Sequence, residues 1–187
     1  MYSMDIHRER FRKGGVTARG MAILLWLVLL GWGVFSLGQG SALATLVKAD
    51  KVIVIKSKRM LMLMKEGELF RAYKVALGKN PEGHKTKVGD RRTPEGRYVI
   101  DSRNSKSKFY RAIHISYPNE ADISSAQKLG VSPGGSIMIH GLPNGFARVD
   151  KFHRVQDWTD GCIAVTTAEM EEIWEYVADG TPIEIKP

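Results

Sequence analysis

Cysteine is almost missing from this chain of 187 residues, since it occurs only once, at position 162. A single cysteine excludes an intrachain disulfide framework, and it also excludes the C-x-x-C motif of thiol redox proteins. Cys162 is therefore either a small buried hydrophobe or a residue present for the chemistry of its thiol. The residues alone leave both alternatives open.

Several other patterns are missing as well. The sequence contains no internal repeat and no low-complexity tract, which excludes solenoids and long linkers. Asp, Glu and His residues are not grouped at metal-ligand spacing, so a zinc hydrolase is disfavoured. Aromatic residues do not interleave with the basic stretches at 79–87, 91–97 and 103–111, so no nucleic-acid partner is expected. An acidic envelope polymer is the favoured partner of this basic surface, and a merely solvated face is the alternative.

The first 44 residues have the three parts of an export signal. Five basic residues lead into an apolar run over 21–37, and Ala42-Leu43-Ala44 then supplies the A-x-A pattern that signal peptidases cut. The run is also just long enough to cross a bilayer, so residues 1–44 are predicted to be a signal peptide or an N-terminal membrane anchor. Both interpretations place residues 45–187 outside the cytoplasm, in the periplasm or cell envelope, and limit membrane contact to an uncleaved N-terminal segment. No cysteine follows the run, which excludes lipoprotein processing.

The remaining 143 residues have the size of one domain, and their net charge is about +5 after the formal +8 of the whole chain is corrected for the leader. Short β-branched or alternating runs, bounded by Gly, Pro or Asn, predict strands. These runs are Lys51–Ile55, Met60–Met64, Leu69–Leu77, Arg97–Asp101, Ala112–Ser116, Ser136–His140 and Ile183–Ile185.

Two helices are predicted beside these strands. The first begins with a capping box of Thr166 and Glu169 and ends before Gly180. Its expected buried stripe consists of Met170, Ile173, Trp174 and Val177. The second helix covers Asp122 to Leu129. Strands outnumber helices, so the predicted fold is mainly β, an antiparallel or mixed β-sandwich with a few peripheral α-helices.

Possible catalytic chemistry converges on His140 and Cys162. A thiol nucleophile needs partial ionisation at neutral pH, and a nearby imidazole provides it by accepting the proton. His140 ends an apolar strand and precedes Gly141, which suits a ring that projects from a rigid edge. Gly161 lets the backbone approach a substrate, and the N–H groups around Gly161 and Cys162 are suited to hold an oxyanion.

These motifs resemble one family. The stretch from Ala49 to Lys186 is similar to the L,D-transpeptidase catalytic domain with the YkuD-like fold, whose signature is a histidine, a spacer and then Ser/Thr-His-Gly-Cys. This sequence has His140-Gly141, a spacer of 18 residues and then Thr159-Asp160-Gly161-Cys162. The segment Gly89-Asp90-Arg91-Arg92-Thr93-Pro94-Glu95-Gly96 also looks like the family's GD-x-x-TP-x-G segment.

The resemblance implies acyl transfer on peptidoglycan stem peptides for cell wall remodelling, without a cofactor. Cys162 would be the nucleophile that attacks at the diaminoacid of the stem, and His140 the proton acceptor and donor. Backbone at Asp160, Gly161 and Cys162 would form the oxyanion hole. Thr159 and Gly141 would complete the substrate-binding set. Tyr117 is a further candidate for substrate binding, because Tyr117-Pro118-Asn119 is suited to shape the donor site, and a plain turn at Pro118-Asn119 is the equal alternative.

The sequence departs from the family pattern in three places. The spacer is about one residue longer than usual, Asp160 replaces the family histidine, and Ala164 stands where many members carry a larger polar residue. These motifs resemble those of the family branch that includes a murein–lipoprotein hydrolase. Water or an envelope lipoprotein lysine is therefore an alternative partner of the thioester, and a catalytically silent wall-binding module is a further alternative.

The other candidate residues are three further histidines and Trp158. His114 is expected to be a strand residue with a satisfied ring, and His84 to lie in a solvated loop. For His153, a position in a lid over the cleft and simple exposure on the surface are equally expected. For Trp158 a core position is the commoner outcome, and a pocket wall is the alternative.

Overall fold

A computed structural model describes residues 47–146 and 152–187. These described residues all belong to one compact unit. The predicted leader at 1–44 lies outside the described residues, so its assignment remains a prediction. Among the described residues, no helix combines the length and the apolarity needed to cross a membrane.

The described residues form a mixed β-sheet of eight strands flanked by two α-helices. The strands are β1 (Lys51–Ile55), β2 (Met60–Lys65), β3 (Glu68–Lys74), β4 (Gly96–Ser107), β5 (Tyr110–Ile115), β6 (Met138–His140), β7 (Ile163–Ala164) and β8 (Pro182–Lys186). Their order across the sheet is β3-β2-β1-β8-β4-β5-β6-β7, with β1–β8 and β6–β7 parallel and the other neighbours antiparallel. The predicted mainly β, mixed fold with peripheral helices is confirmed.

The core forms because alternate residues of the strands are apolar and point the same way. Val52 and Val54 of β1 are fully buried and pair with the buried Leu63 and Leu61 of β2. On the other side β8 adds buried isoleucines in parallel register, with Val52 opposite Ile183. The alternation visible in the sequence therefore sets which face of each strand is buried.

Strand β4 is much longer than the predicted Arg97–Asp101. Its first part, from Gly96 to Val99, pairs with β8, and its second part pairs with β5 through two register irregularities. The sequence hides this second part because residues 102–106 are all polar and mostly exposed, which gives no apolar alternation. β4 thus links the two halves of the sheet.

The chain beyond β3 closes the sheet near the cysteine motif. Ala76 bridges Ala164 in antiparallel fashion, and Gly78 bridges Thr159 in parallel fashion. These contacts join the continuation of β3 to β7, the strand at the opposite end of the order. β7 itself was not predicted, because two residues are too few to show a period.

The two helices are α1 (Glu120–Lys128) and α2 (Thr167–Tyr176). The predicted capping box of α2 is confirmed, with Thr166 and Glu169 bonded reciprocally. α2 stops at Tyr176 because Val177 has extended dihedral angles (φ −103°, ψ 121°), so the predicted end near Gly180 is late by one turn. Trp174 is only partly buried, and the guanidinium of Arg103 lies 3.9 Å from its ring centroid.

A buried lysine fixes the long segment between β3 and β4. Lys56 is 3% exposed, and its ammonium donates to the carbonyls of Gly83 and Thr93 at 2.6 and 2.9 Å and to the Glu95 carboxylate at 2.8 Å. All three N–H groups of this ammonium are therefore used. The segment that they anchor, residues 83–95, forms one side of the candidate active site.

Candidate active site

Strands β6 and β7 bring His140 and Cys162 together. The two strands are parallel, with His140 opposite Ala164, so Cys162 lies two residues before the partner of His140. Side chains two apart on a strand path share a face. His140 and Cys162 accordingly line the same cavity of about 290 Å³.

The ring of His140 is held in one orientation. His140 is 4% exposed, and its Nδ1 lies 2.7 Å from the carbonyl oxygen of Gly141. A carbonyl only accepts, so Nδ1 carries the proton and Nε2 keeps its lone pair. Burial is the main reason why the pKa of His140 is lowered below 6.5, and this favours the neutral ring.

Aromatic rings pack around this imidazole. The ring of Phe109 is centred 4.5 Å from that of His140, and the ring of Trp158 is centred 5.8 Å from it. Both aromatic residues line the 290 Å³ cavity. Trp158 therefore belongs to the pocket wall, the less common of the two placements expected from the sequence.

The environment of Cys162 favours the neutral thiol. Burial raises its pKa above the ordinary 9.0, and the nearby carboxylate of Asp160 raises it further. A hydrogen bond from the backbone of Met138 and the charge of Lys85 act in the opposite direction. The expected ionisation of the thiol by a nearby imidazole is not favoured here, because burial opposes the charged form of both groups.

Thr159 clamps the turn that carries the cysteine. Its hydroxyl donates to the carbonyl of Cys162 at 2.7 Å and accepts from the N–H of Gly161 at 3.1 Å. Thr159 is buried, and its backbone N–H donates to the carbonyl of Leu77. Its role in this structure is to hold the turn in shape.

Gly161 is required by the turn for a reason different from the predicted one. Its φ is +134°, and a Cβ atom at this position would lie 2.7 Å from the carbonyl oxygen of Arg92. The close approach is thus to Arg92 of the protein. Because its N–H is bonded to Thr159, Gly161 does not offer the expected donor to an oxyanion. The N–H groups of Asp160 and Cys162 have no acceptor within 47–146 and 152–187, which leaves them as the backbone donors of this turn.

Asp160 lies on the surface at the entrance to the site. Its side chain is 80% exposed, and its Oδ1 atom lies 3.8 Å from Nζ of Lys79 and 3.8 Å from Nε of Arg91. These distances are too long for hydrogen bonds, so the ion pairs are loose. Its carboxylate is available to a ligand.

Two cavities meet at Cys162. The 290 Å³ cavity contains His140, Phe109 and Trp158. A second cavity, of about 470 Å³, is lined by Lys85, Val88, Gly89, Arg91, Gly134, Gly135, Ser136, Ile137, Asp160 and Cys162. Ser136, Asp160 and Cys162 line both. A group bound to the sulfur is thus reached from two sides.

Tyr117 does not line either cavity, so its contact with substrate stays a prediction. The side chain is 2% exposed, and its hydroxyl donates to the carbonyls of Pro133 and Lys85 at 3.0 and 3.4 Å. Burial raises its pKa far above 10. The ring is apolar enough to join the core, and its hydroxyl ties together two loops that line the larger cavity.

Ala164 and Gly141 are buried next to His140 and also support the site. Ala164 is fully buried and paired with His140 and Ala76, so it does not contact either cavity. Gly141 is buried against Phe109 and Tyr110, where a Cβ atom would lie 3.1 Å from the Phe109 carbonyl oxygen, and it acts on the site through its bond to His140.

His84 and His114 lie outside the two cavities. His114 has its Nδ1 2.6 Å from Asp101, as expected for a strand residue with a satisfied ring. His84 accepts from the N–H of Glu95 and lies 3.1 Å from Asp122, so it is an ordered part of its loop. Among the described residues, no three His, Cys, Asp or Glu side chains are grouped closely enough to hold a metal ion.

Sequence reasoning missed several residues that line the site. Phe109, Ser136, Lys85 and Arg91 all line a cavity beside Cys162. Arg91 lies inside the Gly89–Gly96 segment, which the sequence did single out. Nothing in the local pattern marks Phe109 or Ser136, because their contacts join segments that are distant in sequence.

Known proteins are similar to this chain over most of the described domain. Residues 49–185 match the model of a family described as YkuD, L,D-transpeptidase catalytic domain. The Escherichia coli K12 protein named "Putative L,D-transpeptidase YafK" is 27% identical over 176 residues, which cover 85% of this chain and 64% of that protein. The crystal structure of the helical cell shape determining protein Pgp2 from Campylobacter jejuni aligns with a TM-score of 0.56 and 27% identity, over 73% of this chain and 48% of Pgp2. The chain thus spans less than two thirds of YafK and about half of Pgp2.

Proposed function

This chain belongs to the YkuD family of L,D-transpeptidase catalytic domains, and we propose that it is a cysteine-dependent acyltransferase acting on peptidoglycan stem peptides. The observation that carries the proposal is the position of Cys162 where two cavities meet, with His140 lining one of them. An acyl-transfer enzyme needs a nucleophile that is reached by a donor and then by an acceptor. This arrangement supplies that access.

In the first step the Nε2 lone pair of His140 accepts the thiol proton as the sulfur of Cys162 attacks a stem-peptide carbonyl. Proton transfer accompanies attack, because the resting thiol and imidazole are both neutral. The C–S bond forms, and the carbonyl oxygen becomes an oxyanion. The N–H groups of Cys162 and Asp160 are the backbone donors available to it.

The tetrahedral intermediate then breaks its C–N bond. The imidazolium of His140 gives its proton to the departing amine of the terminal D-residue, which leaves a thioester on Cys162. The same imidazole protonates the leaving nitrogen, so the leaving residue lies in the 290 Å³ cavity that contains His140. After it departs, that cavity is open to an acceptor.

The acceptor attacks the thioester carbonyl while Nε2 removes its proton, and the Cys162 thiol is restored. An amine acceptor gives a new peptide bond, and water gives a shortened stem. Release or attachment of a lipoprotein through its lysine uses the same thioester. The second partner therefore decides whether the enzyme acts as a transferase or a hydrolase.

We place this activity in cell wall remodelling outside the cytoplasm. The predicted leader over residues 1–44 supports an exported domain, either free in the periplasm or held by an N-terminal anchor. The similarity to Pgp2, which is described as a determinant of helical cell shape, supports a role in cell shape. Peptidoglycan is the proposed substrate in each case.

Mass spectrometry of peptidoglycan tests the proposal. The full-length protein is incubated with purified sacculi that carry bound lipoprotein peptide, and the products are compared with those of Cys162→Ala. Crosslinked dimers indicate transpeptidation, shortened stems indicate hydrolysis, and released peptide-bearing muropeptides indicate lipoprotein-linked chemistry. If wild type and Cys162→Ala leave the sacculi equally unchanged, the chain is a silent wall-binding module and the proposal is wrong.

A further inference from the structure

Strands β1, β2 and β3 have an apolar face on the side away from the core. On β1 and β2 the fully buried residues alternate with residues of this outer face, because successive side chains of a strand point to opposite sides. The strand register joins neighbours across the face, since Ile53 lies opposite Met62, and Met62 lies opposite Ala72. The apolar part of the outer face consists of Ile53, Ile55, Met60, Met62, Met64 and Leu69.

Neither α1 nor α2 covers the outer face, because both helices lie on the core side of the sheet. The hydroxyl of the buried Tyr73 donates to Glu172 of α2 at 3.1 Å. The hydroxyl of the buried Tyr98 donates to Asp122 of α1 at 3.1 Å. A sheet with one face in the core normally has polar residues on its other face. Here the second face is apolar and partly exposed, with Leu69 at 53%, and such a patch marks an interaction site.

The outer face is also basic. Lys74 and Lys186 are exposed and flank its apolar part. Lys51 and Arg97 lie on the same face, on either side of Glu184. The Glu184 carboxylate lies 2.6 Å from Lys51 and 3.7 Å from both Lys186 and Arg97. The four cations outnumber this carboxylate, so these residues give the face a net positive charge.

The positive charge is strongest at the end next to the β1–β2 turn. There one row crosses β3, β2, β1 and β8, and it consists of Lys74, Met60, Ile55 and Lys186. Two apolar side chains thus lie between two exposed lysines. The other end, at the β2–β3 turn, has the exposed Glu66 and Glu68 instead. The row therefore marks the part of the outer face that is suited to an anionic partner.

Apolar side chains between lysines fit the surface of an anionic phospholipid bilayer. The acyl chains accept the apolar side chains, and the lipid phosphates accept the ammonium groups, whose long stems let them stay at headgroup level. A second copy of this chain fits less well, because pairing two such faces brings like charges together. An acidic polysaccharide would pair with the lysines but would leave Ile55 and Met60 in water.

The position of the outer face along the chain supports the same partner. The apolar run that is predicted to be a signal peptide or membrane anchor ends at Leu37, and the described residues begin at Val47. The ten residues from 38 to 47 span at most about 35 Å. β1, a central strand of the outer face, begins at Lys51. An uncleaved anchor would therefore keep this face within reach of the bilayer.

We propose that the outer face docks the domain onto an anionic phospholipid bilayer, with Ile55 and Met60 among the headgroups and Lys74 and Lys186 on lipid phosphates. The described residues that line the two cavities at Cys162 include none of this face, so docking leaves the thiol accessible. The proposal does not depend on the acyl-transfer chemistry. It adds a membrane contact made by the folded domain itself.

Fluorescence quenching tests the proposal with the full-length protein. In a Cys162→Ser background, which removes the only native thiol, Met60→Cys is labelled with nitrobenzoxadiazole. The protein is reconstituted in vesicles of phosphatidylethanolamine and phosphatidylglycerol with brominated acyl chains, which quench a fluorophore that enters the bilayer. Emission at position 60 is expected to fall at least twofold. Leu129→Cys, 63% exposed at the end of α1, is the control position and is expected to stay unquenched.

Charge variants separate docking from attachment through the N-terminal segment. Lys74→Glu changes the charge by two units at an anionic surface, so the ratio of docked to undocked protein should fall about tenfold or more. Lys128→Glu makes the same change of charge in the last turn of α1 and is the matched control, with quenching equal to that of the unchanged chain. In vesicles of phosphatidylcholine alone, the quenching at position 60 should be lost.

Emission at position 60 that is quenched no more than emission at position 129 would overturn the proposal. Equal quenching in the anionic and the phosphatidylcholine vesicles would also overturn it, because the lysines would then have no role. A dimer in light scattering that Met60→Glu converts to a monomer would assign the face to a second copy, against the proposal. If Met60→Cys does not fold, as judged by circular dichroism, Met62→Cys provides the same measurement.

Discussion

The carbonyl oxygen of Gly141 lies 2.7 Å from Nδ1 of His140, and this contact determines which nitrogen of the ring is available for catalysis. Gly141 is held by its own N–H bond to the carbonyl of Arg111, at the end of the β5–β6 pairing. The tautomer of the proposed base is thus set by backbone geometry.

The first prediction concerns Cys162 as nucleophile. Cys162→Ser should keep the fold and lose turnover, because an alcohol requires stronger activation than a thiol. Intact-mass measurement with a carbapenem, the inhibitor class that the family resemblance implies, should find an adduct on wild type alone. Full activity in Cys162→Ala would contradict the assignment.

The thiol should also respond to pH as a buried group. Burial raises its pKa above 9.0, so the rate of alkylation by iodoacetamide should still be rising at pH 9. A rate that levels off near pH 7 would indicate a resting thiolate–imidazolium pair. That outcome would contradict proton transfer during attack.

The second prediction concerns His140 as base. His140→Ala should lower turnover about a hundredfold or more, in line with losses of general-base catalysis. Protonation removes the acceptor lone pair, and burial lowers the pKa of His140, so activity should fall with decreasing pH only through a midpoint below 6.5. Asp160→Asn should retain this acid limb with a milder loss of rate. An unchanged acid limb in His140→Ala would contradict the role of His140.

The third prediction concerns the hydroxyl of Thr159. Thr159→Val keeps the shape of the side chain but removes its bonds to Gly161 and Cys162. The free energy of unfolding should fall by about 1–3 kcal/mol, because two buried backbone groups lose their partner. Turnover should fall about tenfold as the turn loosens. Thr159→Ser retains the hydroxyl and is the control, and equal activity of the two variants would refute the clamp.

The fourth prediction compares two glycines with positive φ. Gly161→Ala places a Cβ atom 2.7 Å from the Arg92 carbonyl oxygen, whereas Gly180→Ala at φ +88° meets no atom within 4 Å. Both variants should lose about 1 kcal/mol or more for the strained backbone. Only Gly161→Ala carries the clash, so its midpoint of unfolding by urea should be clearly lower. Equal midpoints for the two variants would show that the backbone moves away from Arg92 without a loss of stability.

Alternation in the sequence predicted most strands, because a buried face repeats every second residue. β1 was predicted at its exact bounds, and β2 and β8 within one residue at each end. β4 was predicted too short, since residues 102–107 are ordered by pairing with β5 and carry no apolar pattern. The two-residue β7 exists only because the chain beyond β3 and strand β6 pair with it.

In the candidate active site, too, the sequence predicted some features and the tertiary structure decided others. The lone Cys162, the His140-Gly141 pair and the family motifs were visible as residues and spacings, and they predicted which groups carry the chemistry. The sequence also suggested that Gly161 serves close approach, but it did not identify Arg92 as the neighbour. It also offered Tyr117 as a substrate-binding residue, but it did not reveal that the side chain of Tyr117 is buried in the core.

The sequence by itself determined the chemical groups, the mainly β pattern and the capping box at Thr166, because each depends on residues that are neighbours along the chain. Only the tertiary structure decided the tautomer of His140, the neutral state of the thiol and the two cavities at Cys162. These depend on burial and on contacts between distant segments, such as Gly78 against Arg91 and Gly161. A one-dimensional pattern does not contain such contacts, since they arise only when the sheet closes.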